Sequence, residues 1–271
     1  MHNGALKLIG AQTNVYAIIG KPIKHSLSPK LHNYMFAKYN IDAVYIAFEV
    51  NNLKQALEGI RGLGIKGVNI TLPFKNEAVQ FVDSLEYESK IIGSINTIKN
   101  SNGELFGFNT DYLGFFETIK DIDCPKNICI LGSGGASSAC IYAFYKKGVK
   151  TLNIYNRTFK NAFKLKERFG DLLTLNIIEK KDVYKNEIIV NTTSVSLSDN
   201  ESVLDLNLLN KNTLLIDIVY NSPLIKQAKA LGIKGINGNT MFVYQAYYAF
   251  KIWTGIEFDI NYAFEVINGN R

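Results

Sequence analysis

Apolar residues fall along this chain in short β-branched runs separated by amphipathic stretches, and that alternation predicts strand, helix and strand in turn. Val15 to Ile19 is an unbroken apolar run stopped by Gly20-Lys21-Pro22, which reads as a buried strand ending in a loop. In that loop, His25-Ser26-Leu27-Ser28-Pro29 places Ser28 to cap a helix and Pro29 at its first position, with the helix running to about Tyr39. Val44 to Val50 reads as a strand, Leu53 to Leu63 as an amphipathic helix and Gly67 to Thr71 as another strand. This β-α-β order implies parallel pairing. Ser84 to Ile92 then reads as one helix, and Asn96 to Lys99 as a strand that turns at Ser101-Asn102-Gly103 into Leu105 to Phe108. Asn109-Thr110-Asp111 follows, where Thr110 or Asp111 would cap a helix through Phe115 to Ile119.

A second unit opens at Ile128 to Leu131, four β-favouring residues running straight into Gly132, Gly134 and Gly135, with small helix-compatible residues after them. The helix extends to about Lys147, and Thr151 to Tyr155 forms the next strand, ending in Asn156-Arg157-Thr158. Further strands are predicted at Ile188 to Val190 and Leu214 to Ile218, with helices after Thr158 and after Pro223. From Gly238 to Thr254, Met241, Gln245, Tyr248 and Ile252 recur at helical spacing, a pattern usual for a core face; Gln245 is its polar exception. With no internal repeat or long linker, the pattern predicts an α/β protein in two units sharing a compact interface.

Composition narrows this picture little. At 271 residues the chain is long enough for two ordinary cores. Its formal charge of +6 is spread over scattered lysines without a basic run, which disfavours a nucleic-acid surface and suits small anionic ligands. Cys124, Cys129 and Cys140 make no C-x-x-C pair and no even disulfide set, so a reducing compartment is expected, with Cys129 and Cys140 as small buried hydrophobes. No apolar run reaches signal-peptide or membrane-span length, so a soluble, cytoplasmic protein is expected. His25 and His32 have no third ligand at a useful spacing, and no metal is expected.

The chemistry concentrates where strands end, the edge at which open α/β sheets present ligand sites. Gly132 permits a tight turn, Gly134 lets the backbone approach a pyrophosphate, and the small Ser137 lets the helix pack on the strand, so the loop suits a dinucleotide facing helix N-terminal amides. At the end of the following strand a cofactor lacking the 2′-phosphate calls for an acidic residue; Asn156 and Arg157 stand there instead, and the arginine favours NADP. Asn69, Thr71, Asn96 and Asp111 are polar groups at strand ends, Lys75 follows Pro73 by two residues, and Ser26 and Ser28 beside a helix start could cradle a carboxylate. Asn191-Thr192-Thr193-Ser194 and Asp217-Ile218-Val219-Tyr220 lie at strand ends on the cofactor side.

Eight motifs in order resemble the shikimate dehydrogenase family over nearly the whole chain. They are Gly20-x-Pro22-x-x-His25-Ser26-x-Ser28-Pro29-x-x-His32-Asn33, Asn69-x-Thr71-x-Pro73-x-Lys75, Gly93-x-x-Asn96-Thr97 and Asn109-Thr110-Asp111. Gly132-x-Gly134-Gly135-Ala136-Ser137, Asn156-Arg157-Thr158, Asn191-x-Thr193-Ser194 and Gln245 complete the set. The resemblance implies an N-terminal α/β substrate domain with a mainly parallel sheet, residues 1–110, completed by C-terminal helices at 239–271. A Rossmann domain binding NADP would occupy 111–238, with a cleft between the two. It implies reversible reduction of 3-dehydroshikimate to shikimate, with Lys75 catalytic and paired with Asp111. Ser26 and Ser28 would hold the substrate carboxylate, and Thr71, Asn96 and Gln245 its other oxygens, with Tyr220 close by.

The same resemblance assigns the cofactor to Gly132, Gly134, Gly135, Ala136, Ser137, Asn156, Arg157, Thr158, Thr193, Ile218 and Gly238, with Met241 against the nicotinamide. The substrate is a small molecule, and the protein would be a monomer or homodimer without nucleic-acid or membrane partners. Three positions depart from the family pattern: Ser133 replaces the commoner alanine, Val195-Ser196 lacks a frequent glycine, and Asn161 stands where many members carry arginine, leaving Lys160 as the basic residue after Thr158. A quinate/shikimate dehydrogenase using NAD, or a regulator that kept the fold but lost catalysis, are the competing readings. Arg157 argues against the first; Lys75, Asp111 and the paired serines argue against the second.

Overall fold

Short apolar runs become the inner strands of two six-stranded sheets, each the centre of its own unit. The computed structural model describes residues 9–193 and 203–269; Ser194, Val195 and Ser196, named above, lie outside the described residues. Of the described residues, one unit comprises 9–90, 94–110 and 246–269, the other 91–93, 111–193 and 203–245.

The first unit opens with β1 (Asn14–Gly20), α1 (Ser28–Lys38), β2 (Ala43–Glu49), α2 (Leu53–Gly62) and β3 (Gly67–Ile70). After a 3₁₀ turn at Glu77–Phe81 come β4 (Ser84–Leu85), α3 (Tyr87–Ile92), β5 (Thr97–Ser101) and β6 (Glu104–Phe108). The strand order is β2-β1-β3-β5-β6-β4. β1, β2 and β3 pair in parallel as the β-α-β pattern required, whereas β5 runs antiparallel to both β3 and β6. Between β5 and β6 the reversal is local in origin: Asn102 and Gly103 hold positive φ of 54° and 93°, the twist a two-residue hairpin needs.

Two sequence expectations are corrected here. Ser84 to Ile92 is not one helix, because Ser84 and Leu85 pair with Phe106 and Gly107 as an edge strand before α3 begins. Ser28 does not cap α1; it is the first helical residue, Leu27 holds the cap position, and the Oγ of Ser26 accepts the Ser28 N–H at 3.2 Å. Pro29 does occupy the first turn.

Packing on this sheet depends on two devices. Gly67 has no room for a side chain, since a Cβ there would lie 2.4 Å from the Trp253 indole, whose N–H donates to the Ile98 carbonyl at 2.9 Å. The outward edge of β2 is closed by Asn33, whose side chain accepts the Tyr45 N–H at 2.8 Å and donates to the Tyr45 carbonyl at 2.9 Å. That amide takes the place of a neighbouring strand at an edge otherwise open to pairing.

The second unit begins with α4 (Asp111–Ile119), β7 (Ile128–Leu131), α5 (Gly135–Lys146), β8 (Thr151–Tyr155), α6 (Phe159–Phe169) and β9 (Thr174–Ile177). It continues through α7 (Lys180–Val183), β10 (Ile188–Asn191), β11 (Leu214–Asp217), α8 (Pro223–Ala230), β12 (Lys234–Ile236) and α9 (Asn239–Thr254). The last helix, α10 (Ile260–Ile267), returns to the first unit, which also holds α9 from Ala246 onward. All six strands are parallel, in the order β12-β11-β10-β7-β8-β9, the doubly wound order of a Rossmann domain. The sequence reading lacked β9 and β12, whose three or four residues at the two sheet edges carry too little apolar periodicity to register.

Every residue of β7 is buried, and α5 packs on α4 through the ring pairs Phe115–Phe144 and Tyr112–Tyr142, with centroids 5.5 and 5.1 Å apart. Cys140 is buried in this core and Cys129 in a second cluster with Leu131, Ile189 and Leu215, where burial pushes its thiol up to about 12 and leaves it protonated and inert. No described helix is long and apolar enough to cross a membrane.

Candidate functional site

In the first unit Ser28, Asn69 and Asn96, of the predicted polar residues, are joined by a buried hydrogen-bond network. Asn96 and Thr110 are almost fully buried, the Asn96 amide donates to Thr110 Oγ1 at 2.9 Å, and the Thr110 N–H donates to Asn96 Oδ1 at 2.7 Å. Thr97 Oγ1 lies 3.1 Å from Thr110 Oγ1 and accepts from the Asn69 amide at 3.0 Å. Asn69 accepts the Tyr45 phenol at 2.6 Å, and the Ser28 hydroxyl bonds that same phenol. Burial raises the Tyr45 phenol well above its ordinary value and keeps it protonated as a donor. The network thus runs from Ser28 at the start of α1 to Thr110, one residue before Asp111, and every member is satisfied, which fixes its geometry.

Thr71 and Lys75 lie just past β3, half-buried. The Thr71 N–H donates to the Ile19 carbonyl at 3.0 Å, and Gly20 makes that approach possible, since a Cβ there would lie 2.3 Å from Thr71 Cγ2. The Ile95 N–H donates to the Lys75 carbonyl at 2.9 Å, tying the lysine's backbone to the residue beside Asn96. Ser26 is half-buried and Ser28 buried. Behind Ser28, one helical turn on, His32 is stacked on Tyr45 with centroids 4.5 Å apart and 16° between planes, and is surrounded by Phe36, Phe250 and Trp253. Among the described residues neither of its nitrogens has a hydrogen-bond partner, and burial pulls its pKa down to about 3, so it is a neutral packing ring.

In the second unit the glycine loop is built as the sequence proposed. Gly132 has φ of 111°, and a Cβ there would lie 2.7 Å from Thr192 Oγ1. Gly134 caps α5 in an ordinary conformation, is exposed, and a Cβ there would meet nothing within 4 Å. The fold therefore does not need glycine at 134; the open space in front of that backbone is what a close-approaching pyrophosphate requires, next to the amides of Gly135 and Ala136 at a twelve-residue helix N-terminus. Ser137 serves the loop differently from the sequence expectation of mere smallness. Its Oγ accepts the Gly134 N–H at 3.1 Å and lies 2.6 Å from Thr192 Oγ1, which ties the loop to the end of β10.

The Asn156 amide donates to the Thr158 carbonyl at 2.9 Å and shapes the turn after β8, leaving Arg157 exposed without an ion-pair partner among the described residues. Thr193 donates its hydroxyl to Asn191 Oδ1 at 2.7 Å. Asn191 in turn bonds Asp217 at 3.2 Å, and the fully buried Asp217 carboxylate also accepts from Ser222 at 2.5 Å and from the Val219 N–H at 3.2 Å. Ile218 is packed by Gly238, where a Cβ would sit 2.0 Å from the Ile218 carbonyl oxygen. Met241 is buried, Tyr220 packs its ring on Phe242 at 5.1 Å, and Gln245 donates to the Phe242 carbonyl at 2.9 Å. Gly114 lets α4 reach this segment, since a Cβ there would lie 2.4 Å from the Met241 carbonyl. Asp111, the first residue of α4, is buried.

Sequence reasoning missed Tyr45, Thr97 as a network member, and the organising role of Asp217. Tyr45 reads as one more aromatic in a strand; the available signal was its in-facing place in the alternation of β2. For Asp217 the signal was a carboxylate ending a wholly apolar strand, which cannot be buried without donors around it.

Comparison with known proteins covers nearly the whole chain. Residues 18–98 match the family described as the shikimate dehydrogenase substrate binding domain, residues 117–224 that of shikimate / quinate 5-dehydrogenase, and residues 238–262 the shikimate 5'-dehydrogenase C-terminal domain. The chain is 42% identical over 257 residues to the shikimate dehydrogenase (NADP(+)) of Aquifex aeolicus, covering 92% of this chain and 94% of that protein. The crystal structure of shikimate dehydrogenase from Aquifex aeolicus superposes with a TM-score of 0.88 at 40% identity, covering 96% of this chain and 99% of the other. The shikimate 5-dehydrogenase of Thermus thermophilus, solved in complex with NADP(H) and shikimate, has a TM-score of 0.84 at 32% identity, covering 95% of this chain and 100% of the other.

Proposed function

The chain belongs to the shikimate dehydrogenase family, and from that premise we propose which of its residues carry the reversible NADPH-dependent reduction of 3-dehydroshikimate to shikimate. NADPH supplies a hydride to the ring ketone, whose oxygen then gains negative charge and needs a proton or a strong donor. Lys75 is that donor, held in the segment after β3 by the bond between its backbone carbonyl and the Ile95 N–H. Asp111 supplies the carboxylate that orients the ammonium. Ser26 and Ser28 hold the substrate carboxylate; Thr71, Asn96, Tyr220 and Gln245 hold its remaining oxygens.

The cofactor residues divide by chemistry. The backbone from Gly132 to Ser137 holds the pyrophosphate, and the open face at Gly134 supports this. Asn156, Arg157 and Thr158 hold the adenosine end, with exposed Arg157 on the 2′-phosphate. Thr193, Ile218, Gly238 and Met241 line the nicotinamide side. The single observation that carries the assignment is the satisfied network joining Ser28, Tyr45, Asn69, Thr97, Asn96 and Thr110, since it fixes side chains at several strand ends in one geometry. We place the protein in the cytoplasm, as a monomer or homodimer.

The deciding experiment follows NADPH and NADH absorbance separately with 3-dehydroshikimate and with 3-dehydroquinate. Oxidation of NADPH by 3-dehydroshikimate, with the other three combinations much slower, is the expected result. Faster turnover of 3-dehydroquinate with NADH would replace this reading by a quinate dehydrogenase.

A further inference from the structure

Glu86, which no step above uses, sits immediately before α3 with its side chain half-buried. Its backbone N–H donates to the Gly107 carbonyl at 3.0 Å, and its carboxylate accepts the backbone N–H of Asn109 and, at 3.4 Å, the Ser89 hydroxyl. Asn109 is fully buried and held from its other side, its amide donating to the Ser94 carbonyl at 2.8 Å and to Ser94 Oγ at 3.1 Å. The next residue, Thr110, is fixed by Asn96, and the one after that is Asp111. The turn leading into Asp111 is therefore gripped by the 94–96 loop on one side and by a carboxylate on the other.

We propose that Glu86 is a positioning residue for the Asn109-Thr110-Asp111 turn, acting through its charged hydrogen bond to the Asn109 amide. This rests on the assignment of Asp111 to catalysis. A hydrogen bond to an ionised acceptor is roughly twice as strong as a neutral one, so the grip depends on the carboxylate being ionised. Burial and, after it, the like charge of Glu88 raise the Glu86 pKa above the usual carboxylate value. The Asn109 N–H and the Ser89 hydroxyl pull the other way without reversing the shift, and the facing segment, Gly107 to Thr110, carries no titratable side chain. A group with a raised pKa takes up its proton early as pH falls, so the turn loosens on the acid side before ordinary carboxylates titrate.

Two variants test it. Glu86→Ala removes the acceptor and leaves a buried N–H unpaired; turnover is expected to fall about tenfold, because small displacements of reacting groups are costly. Glu86→Gln keeps a neutral acceptor; turnover should lie between the two, and the part of the acid limb above the ordinary carboxylate range should vanish from its pH profile. NADPH affinity, measured by fluorescence titration, should be unchanged in both. Glu86→Ala turnover within twofold of wild type, or an unaltered acid limb in Glu86→Gln, overturns the proposal. Should the alanine variant not fold, the glutamine pH profile decides alone. Normal turnover in Lys75→Ala beside a loss in Glu86→Ala would instead unseat the assignment of Lys75.

Discussion

The two units dispose the polar residues proposed to meet their ligands differently. In the first, polar side chains are buried and bonded to one another, from Ser28 through Tyr45 and Asn69 to Thr97, Asn96 and Thr110. In the second, Asn191, Asp217 and Ser222 are also buried and bonded, but the residues proposed to meet the cofactor are an open glycine at Gly134 and an exposed arginine at Arg157. The difference follows from the ligands. A small polyhydroxylated carboxylate is told from its analogues by hydrogen bonds, which discriminate strongly when unpaired partners would be left buried. A dinucleotide presents a pyrophosphate that any helix N-terminus can bind and a distal phosphate that one charge can read. The first unit pays for selectivity with rigidity, and the second can leave its ligand groups exposed.

The comparison is broken most severely at Lys75. Lys75→Ala should lose about 10² to 10⁴ in turnover, the usual span for a general acid, while NADPH titration shows nearly unchanged affinity. Turnover close to wild type would remove Lys75 from the mechanism.

His32 tests the rigidity of the first unit. Its pKa is depressed from 6.5 to about 3 by burial, so the unfolded chain takes up a proton below pH 6.5 that the folded chain refuses until about pH 3. Its contribution to stability is thus complete above pH 6.5 and is lost as pH falls toward 3, by up to about 1.4 kcal/mol per pH unit. His32→Phe fits the aromatic surroundings and removes two unpaired buried nitrogens. Urea unfolding across pH 7 to 4 should show the variant losing less stability than wild type; parallel curves would mean that His32 does not carry the acid dependence.

The second unit should respond more gently. Arg157→Ala should weaken the preference for NADPH over NADH by roughly ten- to a hundred-fold, the worth of a charge-assisted pair. An unchanged cofactor ratio in steady-state kinetics would show that another group, such as Lys160, reads the 2′-phosphate. The smallest effect on the fold is expected at Gly134. With nothing near its Cβ, Gly134→Ala should leave stability within about 0.5 kcal/mol while weakening binding of both cofactors. A large drop in melting temperature would show that the glycine serves the fold.

Much of this was legible beforehand where period and punctuation agree. The runs at β1, β7 and β8, the Asn102-Gly103 hairpin and the glycine turn after β7 each combine an apolar pattern with a residue suited to the required backbone. Ser84 and Leu85 read as helix in the sequence because a two-residue edge strand has no period of its own; only its partner β6 makes it a strand. The local pattern points to Ser28 as a cap, but Leu27 holds that position and the hydroxyl of Ser28 is directed to Tyr45 across the unit.

By itself the sequence determined the element order, the two α/β units and which polar residues stand at strand ends, because these follow from local periodicity and backbone preference. The tertiary structure alone decided which of those residues share hydrogen bonds, how Gly67, Gly114 and Gly238 admit their neighbours, and that His32 is a neutral stacked ring whose nitrogens have no hydrogen-bond partner among the described residues. Those outcomes depend on groups far apart in the chain meeting at separations of a few ångströms, and short-range periodicity carries no record of such meetings.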